Sequence, residues 1–121
     1  MAHILIVDDD PVVQKLMGEV LKREGHSVHF AKDGIDAMVA LKQKRPDILV
    51  LDVMMPEMNG YDVCHNIKFD PEYKTIPVLI ITSREQELDP RLGMLMGVEY
   101  MHKSCMPKDL VDKVRQMLAH K

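Results

Sequence analysis

Ile48-Leu49-Val50-Leu51-Asp52 is the stretch that decides the fold of this 121-residue chain. Its four consecutive apolar residues are typical of a strand that is covered on both faces, as in a parallel sheet between two layers of helices. Val78-Leu79-Ile80-Ile81 repeats the pattern further along the chain. The sequence therefore predicts two buried parallel strands, Ile48–Leu51 and Val78–Ile81.

Shorter or less regular strand patterns lie on both sides of these two strands, and predicted helices alternate with the predicted strands along the chain. Further strands are predicted at His3–Val7, Ser27–Ala31 and Tyr100–His102. Five helices are predicted to begin at or close to the capping or proline residues Asp10, Asp33, Asn59, Asp89 and Pro107. This alternation predicts an α/β fold with a doubly wound five-stranded parallel sheet and five helices, in one domain that spans residues 1–121.

The first two predicted helices carry apolar residues at helical spacing, so the sequence also predicts which faces they bury. The first helix is predicted to end at Gly25. Its apolar stripe consists of Val13, Leu16, Met17, Val20 and Leu21. The apolar residues of the second helix are Ile35, Met38, Val39 and Leu41.

Composition and charge exclude several classes of protein. The chain is 46% hydrophobic and 29% charged, which is typical of a folded globular domain. Its net charge is −3 and its basic residues are dispersed, so we expect no direct binding to nucleic acid. No apolar run reaches the roughly 18 to 20 residues of a membrane helix, so no membrane span is expected. Two cysteines without metal-ligand spacing, Cys64 and Cys105, favour a reducing cytoplasm.

Chemically active side chains follow four of the five predicted strands. Asp8 and Asp9 come after the first strand, Asp52 after the third, Thr82 after the fourth and Lys103 after the fifth. Ligands of open α/β sheets bind outside the carboxyl ends of the strands, so we expect these residues to converge there. Each residue alone can also be read as a cap, a turn residue or a solvated side chain.

The combination of carboxylates, a hydroxyl and a lysine suits phosphoryl transfer. Carboxylates held close together repel one another, and a hard divalent cation such as Mg²⁺ relieves the repulsion while it leaves coordination positions open for phosphate. An aspartate can attack a phosphoryl group and hold it as an acyl phosphate. A lysine and a hydroxyl can then neutralise and bind the phosphoryl oxygens. The sequence thus predicts a Mg²⁺-dependent phospho-acceptor site.

These residues resemble the motifs of one family over the whole chain. The stretch Ile4–Pro11 is similar to the first strand and acidic pair of response-regulator receiver domains, the CheY-like fold of two-component systems. Pro46–Gly60 resembles the phospho-acceptor segment of that family, and Ile80–Ser83 and Tyr100–Lys103 resemble its hydroxyl and lysine motifs. The resemblance implies the strand order 2-1-3-4-5.

The resemblance also implies a role for each residue. Asp52 would accept the phosphoryl group, and Thr82 and Lys103 would hold its oxygens. Mg²⁺ would be bound by Asp9, by Asp8 mainly through water, by Asp52 and by the backbone carbonyl of Met54. Thr82 and Tyr100 would form the switch that alters a protein-interaction surface. The phosphodonor would be a histidine kinase or a histidine phosphotransfer protein, and the downstream partner is not indicated.

Three features depart from the family pattern around the output surface. Ser104 follows Lys103 where the family usually has proline, and the connection Gly97–Tyr100 is one residue shorter than usual. Pro90 and Gly93 predict a short helix after Asp89. We expect these three departures to affect the output surface more than the phosphorylation chemistry.

Two rival functions remain open from the residues alone. Asp8-Asp9-Asp10-Pro11-Val12 also reads as the DxDxV motif of aspartate-nucleophile phosphohydrolases of the haloacid dehalogenase kind. That alternative would make Asp8 the nucleophile and would leave Asp52 without a role, in a chain that is short for such an enzyme. The second rival is a pseudo-receiver, an interaction module that never takes phosphate. Whether the chain is a stand-alone receiver or part of a larger regulator also stays open.

Overall fold

The computed structural model of the chain describes residues 2–52, 60–82, 98–102 and 108–119, with the backbone alone for residues 60, 61, 82 and 102. Strands and helices alternate over most of this length, as predicted. The strands are β1 (His3–Val7), β2 (Ser27–Ala31), β3 (Ile48–Asp52), β4 (Val78–Thr82) and β5 (Val98–His102). The helices within the described residues are α1 (Pro11–Arg23), α2 (Gly34–Gln43), α3 (Gly60–Lys68) and α4 (Lys108–Ala119).

The five strands form one sheet in the order β2-β1-β3-β4-β5, and every neighbouring pair is parallel. This confirms the predicted fold class and strand order. Successive strands are added on one side of β1 and then on the other, so the direction of strand addition reverses between β1 and β3. Ligands of open α/β sheets bind at the carboxyl ends of the strands where this reversal occurs. In the register of these two strands, Val7 lies opposite Leu51. The residues that come next, Asp8 and Asp52, therefore lie at the same level of the sheet.

The sheet buries a separate apolar layer on each face. Residues of β1 and β3 alternate between the two layers, so that Leu5 and Leu49 contribute to one and Ile4 and Val50 to the other. The first layer packs against α2 and α3, and the second packs against α1 and α4. The central strand β3 is buried along its whole length, which is the physical reason for its uninterrupted apolar sequence.

Three strands end or begin at different residues from those predicted. β3 and β4 each continue for one residue beyond their apolar runs, because Asp52 still pairs with Ile81 and Thr82 still pairs with His102. β5 begins two residues earlier than predicted, at Val98, which pairs with Val78 and is buried. A polar residue can therefore complete a strand when its neighbour supplies the hydrogen bonds, and sequence patterns do not show this.

Local capping chemistry sets the helix starts, as the sequence predicts. The side-chain carboxylate of Asp10 accepts a hydrogen bond from the backbone N–H of Val12 at 2.9 Å, and that of Asp33 accepts one from Asp36 at 2.8 Å. After α1, Gly25 has φ of 90°, a conformation that glycine adopts without a steric penalty. Within the described residues no helix is long and apolar enough to cross a membrane. The predicted helix near Asp89 lies outside the described residues.

The predicted apolar faces of α1 and α2 are too wide. Leu16 is 43% exposed, although it belongs to the predicted stripe of α1, whereas Met17 and Leu21 are buried against the sheet. On α2 the same error applies to Ile35 and Val39, which are both exposed. Helical spacing shows that these residues share a side of their helix, but the line along which each helix touches the sheet is decided by packing.

Histidines lie at the amino-terminal edge of the sheet. The Nδ1 atom of His26 accepts a hydrogen bond from the backbone N–H of Ala2 at 3.2 Å, which requires that nitrogen to be unprotonated. The His3 ring packs edge to face on the ring of His29, with 4.6 Å between the centroids. Burial lowers the pKa of both His3 and His26 below the ordinary value of 6.5. The neighbouring His29 lowers the pKa of His3 further, and the neighbouring Arg115 lowers that of His26 further.

The free energy of unfolding is therefore expected to decrease as the pH falls from about 7.5 to about 5.5. Because the pKa values of His3 and His26 are lowered in the folded state, the unfolded chain binds more protons than the folded chain as the pH falls through 6.5. Urea unfolding at several pH values measures this slope. The double variant His3→Phe, His26→Gln should flatten it, whereas replacement of the exposed His65 by glutamine should not. Equal slopes for wild type and the double variant would refute the assignment.

Candidate metal centre

Three carboxylates meet at the carboxyl-terminal edge of the sheet. One oxygen from each of Asp8, Asp9 and Asp52 lies within 4.8 Å of the other two. Asp8 is the residue after β1, and Asp52 is the last residue of β3, the neighbouring strand. The structure thus brings together the three acidic residues that the sequence predicts as metal ligands.

The three carboxylates differ in their access to solvent. Asp8 is completely buried and Asp52 is 3% exposed, whereas Asp9 is exposed. Asp8 and Asp52 thus form the buried part of the cluster, and Asp9 forms its solvent-exposed part. Carboxylates at this separation repel one another strongly when burial withdraws them from water. A cation among them, or protonation, would remove that repulsion.

The turn after β1 is held in place by hydrogen bonds. The N–H of Asp8 donates to the carbonyl oxygen of Ala31 at 3.1 Å, which extends the pairing of β1 with β2 by one residue. The Oδ1 atom of Asp8 accepts from the N–H of Asp10 at 2.9 Å. Asp10 itself caps α1 and is not part of the acidic cluster, as its position before Pro11 predicts.

No sequence motif singles out Gln14, yet it contacts this turn directly. Its side-chain nitrogen donates to the carbonyl oxygen of Asp8 at 2.6 Å and to that of Ala31 at 3.2 Å. In the sequence Gln14 is only one polar residue among others in an amphipathic helix. Its contact depends on how closely α1 approaches the ends of β1 and β2, which is a tertiary property.

The remaining predicted site residues are described only in part. Thr82 is the last residue of β4, next to β3, but only its backbone is described. Tyr100 lies in β5 opposite Ile80 and packs, partly buried, against the apolar layer on the side of α2 and α3. Met54, Lys103 and Ser104 lie outside the described residues, so the predicted carbonyl ligand, lysine contact and altered loop stay predictions.

The donor set of the cluster fits a hard divalent cation. All three groups offer oxygen atoms, which Mg²⁺ and Ca²⁺ prefer, and within the described residues this is the one group of three or more potential metal-binding side chains. Mg²⁺ is commonly held by one or two carboxylates and keeps several waters, so the exposed side of the cluster leaves coordination positions for a phosphoryl group. The arrangement can therefore combine a buried nucleophilic carboxylate with a cation.

Relatives of known sequence match nearly the whole chain. The family described as "Response regulator receiver domain" matches residues 4–115. The chain is 34% identical over 120 residues to Protein PilH of Pseudomonas aeruginosa, in an alignment that covers 98% of this chain and 99% of PilH. It is 38% identical over 117 residues to the DNA-binding response regulator MtrA of Mycolicibacterium smegmatis, in an alignment that covers 96% of this chain and 50% of MtrA. The chain thus spans about half the length of that regulator.

A solved structure of a response regulator is similar to this chain. Response regulator protein TrrA of Thermotoga maritima, in complex with Mg²⁺-BeF, superimposes with a TM-score of 0.86 at 27% identity. The superposition covers 97% of this chain and 99% of TrrA. Together, the sheet order, the acidic cluster and these matches show that the chain belongs to the family of response regulator receiver domains.

Proposed function

We propose that this receiver domain accepts a phosphoryl group on Asp52 in a Mg²⁺-dependent reaction and that the phosphorylated domain switches a protein-interaction surface. The observation that carries the proposal is the convergence of the Asp8, Asp9 and Asp52 carboxylates within 4.8 Å. Asp52 is the acceptor that the resemblance to the family implies, and it ends the central strand β3, beside β1 and β4. The roles of the individual residues are those that the resemblance to the family implies.

Asp52 acts as the nucleophile. One of its carboxylate oxygens attacks the phosphorus of a phosphohistidine, the P–N bond breaks, and the electron pair of that bond stays on the imidazole nitrogen, which takes up a proton. The product is an aspartyl phosphate on this chain. Asp8 and Asp9, together with Asp52 and the backbone carbonyl of Met54, hold Mg²⁺. The bound ion supplies positive charge that offsets the charge on the phosphoryl oxygens.

Thr82 and Lys103 bind the phosphoryl oxygens in this proposal. Thr82 ends β4, the strand next to β3, and Lys103 follows His102, the last residue of β5, in the sequence. Thr82 and His102, which pair with each other, end their strands at the edge of the sheet that carries the acidic cluster. The Thr82 hydroxyl donates a hydrogen bond, and the Lys103 ammonium group provides a compact positive charge.

Tyr100 transmits the change from Thr82 to the surface. Its partly buried ring, on the strand beside β4, can repack when Thr82 moves towards a phosphoryl group. Such a repacking would alter the surface around β5 and α4. Phosphorylation thus biases an element with two arrangements, which is the usual form of such a switch.

The partners follow from the same chemistry. A sensor histidine kinase or a histidine phosphotransfer protein supplies the phosphoryl group, and an unidentified protein or domain reads the switched surface. We propose that residues 1–121 form a single receiver domain that acts in the cytoplasm and does not itself bind nucleic acid, in keeping with its net charge of −3. Its catalysis is limited to its own phosphorylation and dephosphorylation.

The proposal is tested by incubation of the chain with Mg²⁺ and acetyl phosphate, followed by intact-mass measurement. We expect a mass gain of one phosphoryl group that disappears when EDTA removes the divalent cation. No gain in the presence of Mg²⁺ would make the chain a pseudo-receiver. Reduction of the acyl phosphate with borohydride and peptide mapping identify the modified residue, and phosphate on Asp8 would favour the phosphohydrolase chemistry instead.

A further inference from the structure

The side-chain amide of Gln14 donates hydrogen bonds to the backbone at the ends of two strands. Its Nε2 atom donates to the carbonyl oxygen of Asp8 at 2.6 Å, directly after β1, and to that of Ala31, the last residue of β2, at 3.2 Å. Both neighbours are carbonyl oxygens, which can only accept hydrogen bonds. The end of the amide that faces them must therefore be the NH₂ group, and both of its hydrogens have an acceptor.

This contact constrains the peptide unit that leads into Asp9. The carbonyl group of Asp8 and the nitrogen of Asp9 belong to one planar peptide unit, so a fixed oxygen fixes the plane. Two further contacts of this turn, the N–H of Asp8 with Ala31 and the Oδ1 of Asp8 with Asp10, involve other groups of Asp8 and not its carbonyl oxygen. Gln14 thus constrains the orientation of the peptide unit between Asp8 and Asp9.

Asp9 is the member of the acidic cluster that most needs such a constraint. Asp8 and Asp52 are enclosed by the sheet and the apolar layers, whereas the side chain of Asp9 is exposed. An exposed carboxylate points into a metal site reliably only when its backbone is held, because its own rotamers are not restricted by packing. Its oxygen nevertheless lies within 4.8 Å of those of the other two carboxylates.

We propose that Gln14 is a positioning residue of the cation site, which holds the Asp8–Asp9 peptide unit so that the Asp9 carboxylate converges with Asp8 and Asp52. Its effect is on the affinity for the divalent cation and not on the reaction of Asp52. The inference rests on the proposed function in one respect, namely that the cation is Mg²⁺.

Gln14→Met tests this inference, since methionine keeps the length and the net charge and removes both donors. Mg²⁺ alone is titrated into the ¹⁵N-labelled chain, and the shifts of the Asp9 and Asp10 amide signals give the Kd. We expect the Kd to rise about tenfold, a typical cost of losing a group that orients a metal ligand. With acetyl phosphate, the Mg²⁺ concentration for half-maximal phosphorylation should rise by the same factor, while the rate at saturating Mg²⁺ stays within about threefold.

Leu16→Met is the matched control, because it introduces the same residue at an exposed position of the same helix. Its Kd for Mg²⁺ should stay within about twofold of the wild-type value. A folded Gln14→Met chain with an unchanged Kd would overturn the inference, as would a lower phosphorylation rate at every Mg²⁺ concentration without a shift in half-saturation. If Gln14→Met does not fold, the titration is made on Gln14→Ala.

Failure of both Gln14 variants to fold would assign Gln14 a purely structural role and would also overturn the inference. The titration separates this question from the proposed function, because it involves no phosphate. A wild-type chain that binds Mg²⁺ but takes no phosphate would contradict the phospho-acceptor role alone.

Discussion

Replacement of Asp52 by asparagine is expected to lower the rate of phosphoryl uptake by at least about a thousandfold, which is the scale of loss when an enzyme nucleophile is removed. Asparagine has nearly the same shape, but its amide cannot form a stable acyl phosphate. It also removes one negative charge from the acidic cluster, which reduces the repulsion among the carboxylates. Intact-mass measurement after incubation with Mg²⁺ and acetyl phosphate gives the rate.

Asp47→Asn is the matched control for this prediction. Asp47 directly precedes β3, the strand that Asp52 ends, and its carboxylate accepts a hydrogen bond from the N–H of His3 at 2.8 Å. An asparagine oxygen can accept the same bond, and the position is at the opposite edge of the sheet from the acidic cluster. We expect phosphoryl uptake by Asp47→Asn to equal that of the wild type. A mass gain that persists in Asp52→Asn would contradict the assignment of the acceptor.

Leu49→Ala is expected to lower the free energy of unfolding by about 3 to 4 kcal/mol. Leu49 is completely buried in β3, where it pairs with Leu5 on one side and Val78 on the other. Its truncation loses apolar burial and leaves a cavity, since strands on both sides prevent the backbone from closing the gap. A loss of this size is a large fraction of the roughly 5 to 15 kcal/mol that stabilise a typical domain.

Urea unfolding measures this loss, and Leu16→Ala provides the control with the same chemical change. Leu16 is 43% exposed on α1, so its truncation removes less buried surface, and alanine is also a good helix former. We expect a cost below about 1 kcal/mol for Leu16→Ala. Similar losses for the two variants would mean that β3 is less tightly enclosed than the structure indicates.

The limits of the sequence patterns are clearest at the helix faces and strand ends. Spacing alone placed Leu16 and Val39 among buried residues, and both are exposed. The apolar runs ended before Asp52 and Thr82, although both residues are paired in the sheet. In each case the deciding factor is a neighbour that is distant in the sequence, and a local pattern carries no information about it.

The sequence by itself determined the features that depend on short-range chemistry. The apolar runs of β3 and β4 identified buried parallel strands, Asp10 and Asp33 identified helix starts, and the positions of Asp8, Asp9 and Asp52 after strands indicated the acidic site. Hydrophobic periodicity and capping act over a few residues, so they can be read directly from the order of residues. The strand order came from the resemblance to a family and not from these patterns.

Only the tertiary structure decided how close the functional groups come to one another. The separation of the Asp8, Asp9 and Asp52 oxygens depends on the register of β1 with β3, and the contacts of Gln14 depend on the approach of α1 to two strand ends. Both arise from packing between separate strands and helices. Packing selects one arrangement from many that share the same local patterns, because only the complete core excludes the others.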